Sequence, residues 1–139
     1  AYQKEISLSE GVEEFLDYCK AHNIFIAILT NGRTKSQYAK VIALDLHRWF
    51  DDDHIFISGG IGYQKPDPMA FQYIEKMFSL NPEETWYIGD TYEADVVGAD
   101  GAGWHTVWFN HRNRERLENC ADVTVRSIEE LSRFIKERS

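Results

Sequence analysis

Short apolar runs alternate with helix-period segments along almost the whole chain, and that alternation leaves few folds open. The run Ile24-Phe25-Ile26-Ala27-Ile28-Leu29 is apolar at every position, which suits a strand covered on both faces, as in a parallel sheet. Before it, Val12, Phe15, Leu16 and Cys19 recur at three- and four-residue spacing, the buried stripe of a helix ending near His22-Asn23. Ser7 and Glu10 have the spacing of a capping box ahead of that helix.

The pattern then repeats. Residues 33–46 predict a helix with Tyr38, Val41, Ile42 and Leu46 inward, and residues 54–58 a strand. Asp67 is placed to cap a helix with Pro68 at its first position, where a fixed φ and a missing N–H do no harm. Phe71, Ile74 and Met77 or Phe78 form its buried face. Residues 85–88, 104–109 and 123–125 read as strands and residues 93–102 as a short helix of small residues. Ser127 with Glu130 opens a closing helix that carries Ile128, Leu131, Phe134 and Ile135. Alternation of this kind predicts an α/β fold, a parallel sheet with helices on both faces.

Composition narrows the function classes. A length of 139 residues is one domain's worth, and 43% hydrophobic and 14% aromatic residues are enough to build a core. The net charge of −8 leaves no basic face for nucleic-acid phosphates, whereas a small phosphorylated molecule can still bind if a divalent cation bridges the anions. No apolar stretch is long enough for a membrane span and no signal peptide is visible. Cys19 and Cys120 form no CxxC pair, and Cys19 lies on the apolar helix face as core filler. Together these features predict a cytoplasmic enzyme without nucleic-acid or membrane partners.

Three polar clusters follow apolar runs in a fixed order. Thr30-Asn31-Gly32 ends a buried strand and precedes a polar helix start, where free N–H groups and the helix dipole favour an anion. There the Thr30 hydroxyl can donate and Gly32 lets backbone come close; Asn31-Gly32 is also an ordinary turn signal. Lys65 stands in Lys65-Pro66-Asp67-Pro68, a loop whose prolines fix its path. It can serve as a held cation or as a surface lysine, and the spacing of nearby glycines is not that of a P-loop. Gly89-Asp90 ends the strand Trp86-Tyr87-Ile88, where open parallel sheets carry ligand groups. Asp95 follows about one helical turn later, so that both carboxylates can face one volume, as when Mg²⁺ is held; the alternative is a pair of helix-capping aspartates.

Other candidates carry less. Asp51-Asp52-Asp53 has Ile55 where a calcium loop needs a third ligand, and reads as a solvated turn. The five histidines show no metal-ligand spacing. No Gly-x-Ser-x-Gly elbow or cysteine-nucleophile signature occurs, and Trp104, Trp108 and Phe109 read as core strand residues.

The ordered clusters resemble the haloacid dehalogenase-like superfamily over essentially the whole chain. Ile28-Leu29-Thr30-Asn31-Gly32 is similar to that family's second motif, Lys65-Pro66 to its third, and Ile88-Gly89-Asp90 through Asp95 to its fourth. The Gly-Asp of the fourth motif favours the phosphatases over the true dehalogenases, which do not use Mg²⁺. The resemblance implies a Rossmann-like three-layer core and hydrolysis of a small phosphomonoester, a nucleotide or sugar phosphate, through an aspartyl-phosphate. It further implies that Thr30 and the Asn31-Gly32 backbone hold the phosphoryl group and that Lys65 neutralises charge on it and on the nucleophile. Asp90 would bind Mg²⁺, with Asp95 supporting it directly or through water.

The sequence departs from the family at its first motif. No Asp-x-Asp follows a strand before Thr30. In the family that motif ends a central strand, between the strands ending at Thr30 and Asp90, and the cap domain is inserted after it. The expectation is therefore a C-terminal core portion, residues 1–139, without the N-terminal strand and cap; the missing initiator methionine agrees. The nucleophile would come from an absent N-terminal segment, about 80–120 residues upstream by domain size, and the 139 residues alone would be inactive. Two alternatives are a non-catalytic binding or regulatory module of the same fold and a phospho-receiver domain, whose acidic cluster would lie on a different strand.

Overall fold

Residues 11–138 are described by a computed structural model, which separates into two compact units, Ala1–Gly62 and Tyr63–Ser139. The Ser7–Glu10 capping box lies outside the described residues.

In the first unit, helix α1 (Val12–Ala21) begins after Gly11 without a side-chain cap. Leu16 packs with Trp49 and Phe50, and Val12, Phe15, Ile26, Ile28, Leu46 and Ile55 close round them. Cys19 is buried, as its place on the apolar face requires. The Trp49 indole N–H donates to Asp17 Oδ1 at 2.7 Å, which ties α1 to the 46–48 turn beyond α2 (Thr34–Ala43). Strand β1 is Ile28–Thr30, paired in parallel with β2 (Ile55–Ile57), Ile28 opposite Ile55 and Thr30 opposite Ile57.

Two expectations are corrected in this unit. The apolar run from Ile24 is strand only over its last part, because β2 is three residues long and a ladder extends no further than its partner. Phe25 is accordingly 46% exposed, its ring lying beside that of His54. Ile42 is 60% exposed, and Val41 alone of α2 is fully buried. After β2 the chain turns through α3 (Ser58–Ile61), a single helical turn.

The second unit opens with Lys65, joined to Pro66 by a cis peptide, and with α4 (Pro68–Phe78). Asp67 caps α4 as its sequence predicts, with Oδ1 accepting from the Met69 N–H at 2.9 Å. Phe71 and Ile74 are buried, whereas Met77 is exposed. Phe71 meets Tyr87 and Trp104 edge-on, with ring centroids 5.1 and 5.4 Å away. The three-stranded sheet β3 (Trp86–Gly89), β4 (His105–Phe109) and β5 (Val123–Val125) is parallel throughout, in that order. Trp104 and Trp108 are buried and Phe109 half-buried, as core strand residues should be. Helix α6 (Ile128–Arg138) follows β5, with Ser127 Oγ accepting from the Glu130 N–H at 3.1 Å.

The α/β fold with parallel pairing is thus present, in one two-stranded and one three-stranded sheet among the described residues. The expected helix over residues 93–102 is instead a π-helical segment, Tyr92–Val97, running into the short α5 (Gly98–Gly101). Its wider turn carries Asp95 inward to full burial. π-Helical turns of this kind concentrate at functional sites.

Candidate active site

Lys65 and Asp95 come together inside the second unit. The ammonium donates to Asp95 Oδ1 at 2.6 Å and to the Tyr87 hydroxyl at 3.0 Å, and the side chains of the pair are only 11% and 6% exposed. Asp95 Oδ2 accepts from the backbone N–H of Thr91 at 3.0 Å, so both oxygens of this carboxylate are engaged by protein donors. Gly89 makes room for it, since a Cβ there would overlap the Cβ and carboxyl of Asp95.

Asp90 faces other partners. Its side chain is 41% exposed; Oδ1 accepts from the Thr91 hydroxyl at 3.2 Å, and Oδ2 from His111 Nε2 at 3.1 Å and Arg112 Nη2 at 3.3 Å. The Trp108 indole N–H reaches the Asp90 carbonyl at 3.4 Å. Burial works against the ionised carboxyl, but the hydrogen bonds from His111 and Thr91 and the Arg112 charge outweigh it and hold Asp90 below the usual carboxylate range. The two aspartates are therefore aimed at different partners. Asp90 fits a Mg²⁺ site as a partly exposed single carboxylate, since that ion commonly takes one or two carboxylates and completes its shell with water and phosphate. Asp95 fits as the group that fixes Lys65 and the Thr91 turn.

Electrostatics at the lysine give a pH signature. Burial disfavours its charge, yet the Tyr87 phenol and the Asp95 carboxylate prevail and raise the Lys65 pKa. Burial, foremost, pushes the Tyr87 phenol up from 10.0 to about 12. Both groups hold their protons to higher pH in the folded chain than in the unfolded one. The Tyr87 contribution to stability is complete below about pH 10 and is lost as pH rises toward about 12, and the Lys65 contribution is lost in the same direction, as pH rises. Urea-unfolding midpoints should fall over that window, less steeply in Tyr87→Phe; a midpoint that is flat to pH 12 contradicts the assignment.

In the first unit, Thr30, Asn31 and Gly32 lead from β1 toward α2. Gln37 Nε2 donates to Thr30 Oγ1 at 2.8 Å and to the Asn31 carbonyl at 2.7 Å. The Gly32 N–H donates to Ser58 Oγ at 2.8 Å, and the Gly32 carbonyl accepts from the Gly59 N–H at 2.9 Å. Gly32 has φ +147°, and a Cβ there would lie 2.6 Å from the Gln37 side chain. Only glycine suits both the dihedral and the approach.

Sequence reasoning missed Tyr87, Gln37, Ser58, His111 and Arg112. For Tyr87 a signal was present: it shares a strand face with Gly89 by the two-residue period. His111 and Arg112 become visible only from the pairing of Gly89 with Trp108, which puts both strands' exits at the same sheet edge. Asp51, Asp53 and His54 are the one group of three potential metal ligands found together among the described residues. His54 Nδ1 lies 2.8 Å from Asp53 Oδ1, and Asp52 is taken up by Tyr38 and His47, in keeping with a solvated turn.

The model of the haloacid dehalogenase-like hydrolase family matches residues 1–109. The chain belongs to that family. It is 30% identical over 125 residues to a glyceraldehyde 3-phosphate phosphatase of Pyrococcus furiosus, covering 87% of this chain and 51% of the relative. To a phosphoserine phosphatase of Thermus thermophilus it is 34% identical over 130 residues, 93% of this chain and 51% of the relative. A solved HAD-hydrolase of Bacillus subtilis, YfnB, bound to magnesium, superposes with a TM-score of 0.80 at 30% identity, over 92% of this chain and 56% of that one. The chain spans about half the length of these curated relatives. Among the described residues no helix is long and apolar enough to cross a membrane.

Proposed function

We propose that this HAD chain is the core portion of a Mg²⁺-dependent hydrolase of small phosphomonoesters, nucleotide or sugar phosphates, acting through an aspartyl-phosphate. The observation that carries the reading is the buried lysine, fixed by Asp95 and Tyr87 in the unit whose β3 ends in Gly89-Asp90. A buried cation held in a fixed place suits neutralising negative charge that develops nearby. The names of the two phosphatase relatives support a small phosphorylated substrate.

In this reading Thr30 and Asn31 hold the phosphoryl group, the Thr30 hydroxyl being the donor. The Gly32 N–H is committed to Ser58, so the backbone of Gly32 shapes the loop instead of binding. Lys65 neutralises charge on the phosphoryl group and on the attacking carboxylate. Asp90 holds Mg²⁺, and Asp95 acts through Lys65 and Thr91. When bound, the ion supplies charge neutralisation and orientation of the phosphate oxygens. The attacking carboxylate and the general acid lie on a segment outside these 139 residues, since no Asp-x-Asp precedes Thr30.

The test is Asp90→Asn in the complete protein that contains this chain. Hydrolysis of p-nitrophenyl phosphate with Mg²⁺ should fall by about 100-fold or more, and added Mg²⁺ should no longer stimulate it. Undiminished, Mg²⁺-stimulated turnover in that variant sinks the metal assignment.

A further inference from the structure

We propose that Gln37 is a positioning residue that sets the direction of the Thr30 hydroxyl, so that the proton of that hydroxyl is left for the phosphoryl group. The inference rests on the reading of Thr30 as the phosphoryl donor, and deepens it.

The orientation of the Gln37 amide is settled by its partners. The Asn31 carbonyl can only accept, so the amide atom 2.7 Å from it is the NH₂ nitrogen. That nitrogen has two protons, and Thr30 Oγ1, at 2.8 Å, takes the other. A threonine hydroxyl has one proton to donate and two lone pairs to accept with. With a lone pair occupied by Gln37, the Thr30 proton must point away from the amide. Among the described residues the Thr30 hydroxyl accepts this bond and donates none.

The loop is built to allow that crossing. Gln37 lies in the first turn of α2, and its side chain folds back over Gly32 to reach Thr30. Any side chain at position 32 would stand in its path, 2.6 Å from Gln37 Cγ. From the other side Ser58 and Gly59 fix Gly32, so the loop cannot swing to release the amide without breaking those bonds as well. A donor held in advance where charge develops costs no reorganisation at the moment of reaction.

Inverting the polarity of this bond tests the proposal. Gln37→Glu keeps shape but presents an acceptor, which draws the Thr30 proton inward. In the complete protein, kcat/KM for p-nitrophenyl phosphate should fall by about 10- to 100-fold, and inorganic phosphate should inhibit correspondingly less well. The introduced negative charge also acts when Thr30 is absent, so Gln37→Glu is compared in wild-type and Thr30→Val backgrounds. Most of its effect should vanish with the hydroxyl, a coupling of at least about tenfold. Gln37→Met removes both hydrogen bonds but leaves the hydroxyl free to donate, and should cost less than Gln37→Glu at equal thermal stability. Equal losses in the two backgrounds, or a Met variant as impaired as the Glu variant, overturn the role of Gln37. If Thr30→Val is itself without effect, it is the phosphoryl-holding role of Thr30 that fails.

Discussion

Asp95→Ala should destabilise the second unit by about 3–5 kcal/mol, the usual cost of stripping one partner from a buried ion pair. The lysine side chain is 11% exposed, so solvent cannot replace the carboxylate. Tyr87 would remain as a neutral partner, and the Thr91 N–H would lose its acceptor as well. The cost arises from the stranded charge more than from the worth of the pair. Converting the lysine too, in Lys65→Met/Asp95→Ala, should therefore recover much of the loss, because apolar replacements of a buried pair are often tolerated. Urea unfolding followed by tryptophan fluorescence reads both. A single variant within about 1 kcal/mol of wild type would show that the pair is solvated, and the case for a held cation would go with it.

That pair also shows why part of the site was legible in the sequence. Thr30 and Gly89-Asp90 stand where strands stop, and a strand exit is where an α/β fold gathers function, whereas Lys65 is marked by the prolines beside it. The Asp67 cap with Pro68 was legible for a related reason, since proline and a capping carboxylate act on neighbouring backbone. Interactions set by distant pairing were not. Tyr87 reads as one more strand aromatic until Lys65, far away in sequence, is seen to donate to it. Gln37 reads as a polar helix start, and its reach back to Thr30 depends on Gly32 having no side chain.

Helical spacing singled out Asp95 but could not name the partners it takes, Lys65 and the Thr91 N–H. Those partners depend on the π-helical turn, which directs Asp95 to Lys65. Phe25 and Ile42 are the reverse case, apolar residues whose period or run promised burial. Burial depends on what lies opposite, and β2 is too short to extend the ladder toward Phe25. Local composition gives a residue's preference, and only the packed neighbours decide whether it is met.

The second large effect concerns turnover. In an aspartyl-phosphate mechanism the nucleophile splits one hard displacement into two easier ones. On the proposed reading, a chain with phosphate, lysine and metal groups but no attacking carboxylate would keep binding and charge stabilisation and lose the covalent route. Loss of a nucleophile of this kind costs about 10⁴- to 10⁶-fold, judged from enzymes whose catalytic groups act as a unit. The direct measurement is Mg²⁺-dependent hydrolysis of p-nitrophenyl phosphate by the 139-residue chain beside the complete protein that contains it, at equal molar concentration. The expected result is robust turnover by the complete protein and none above background by the chain alone. Comparable rates from the two would place the nucleophile within these residues and contradict the account.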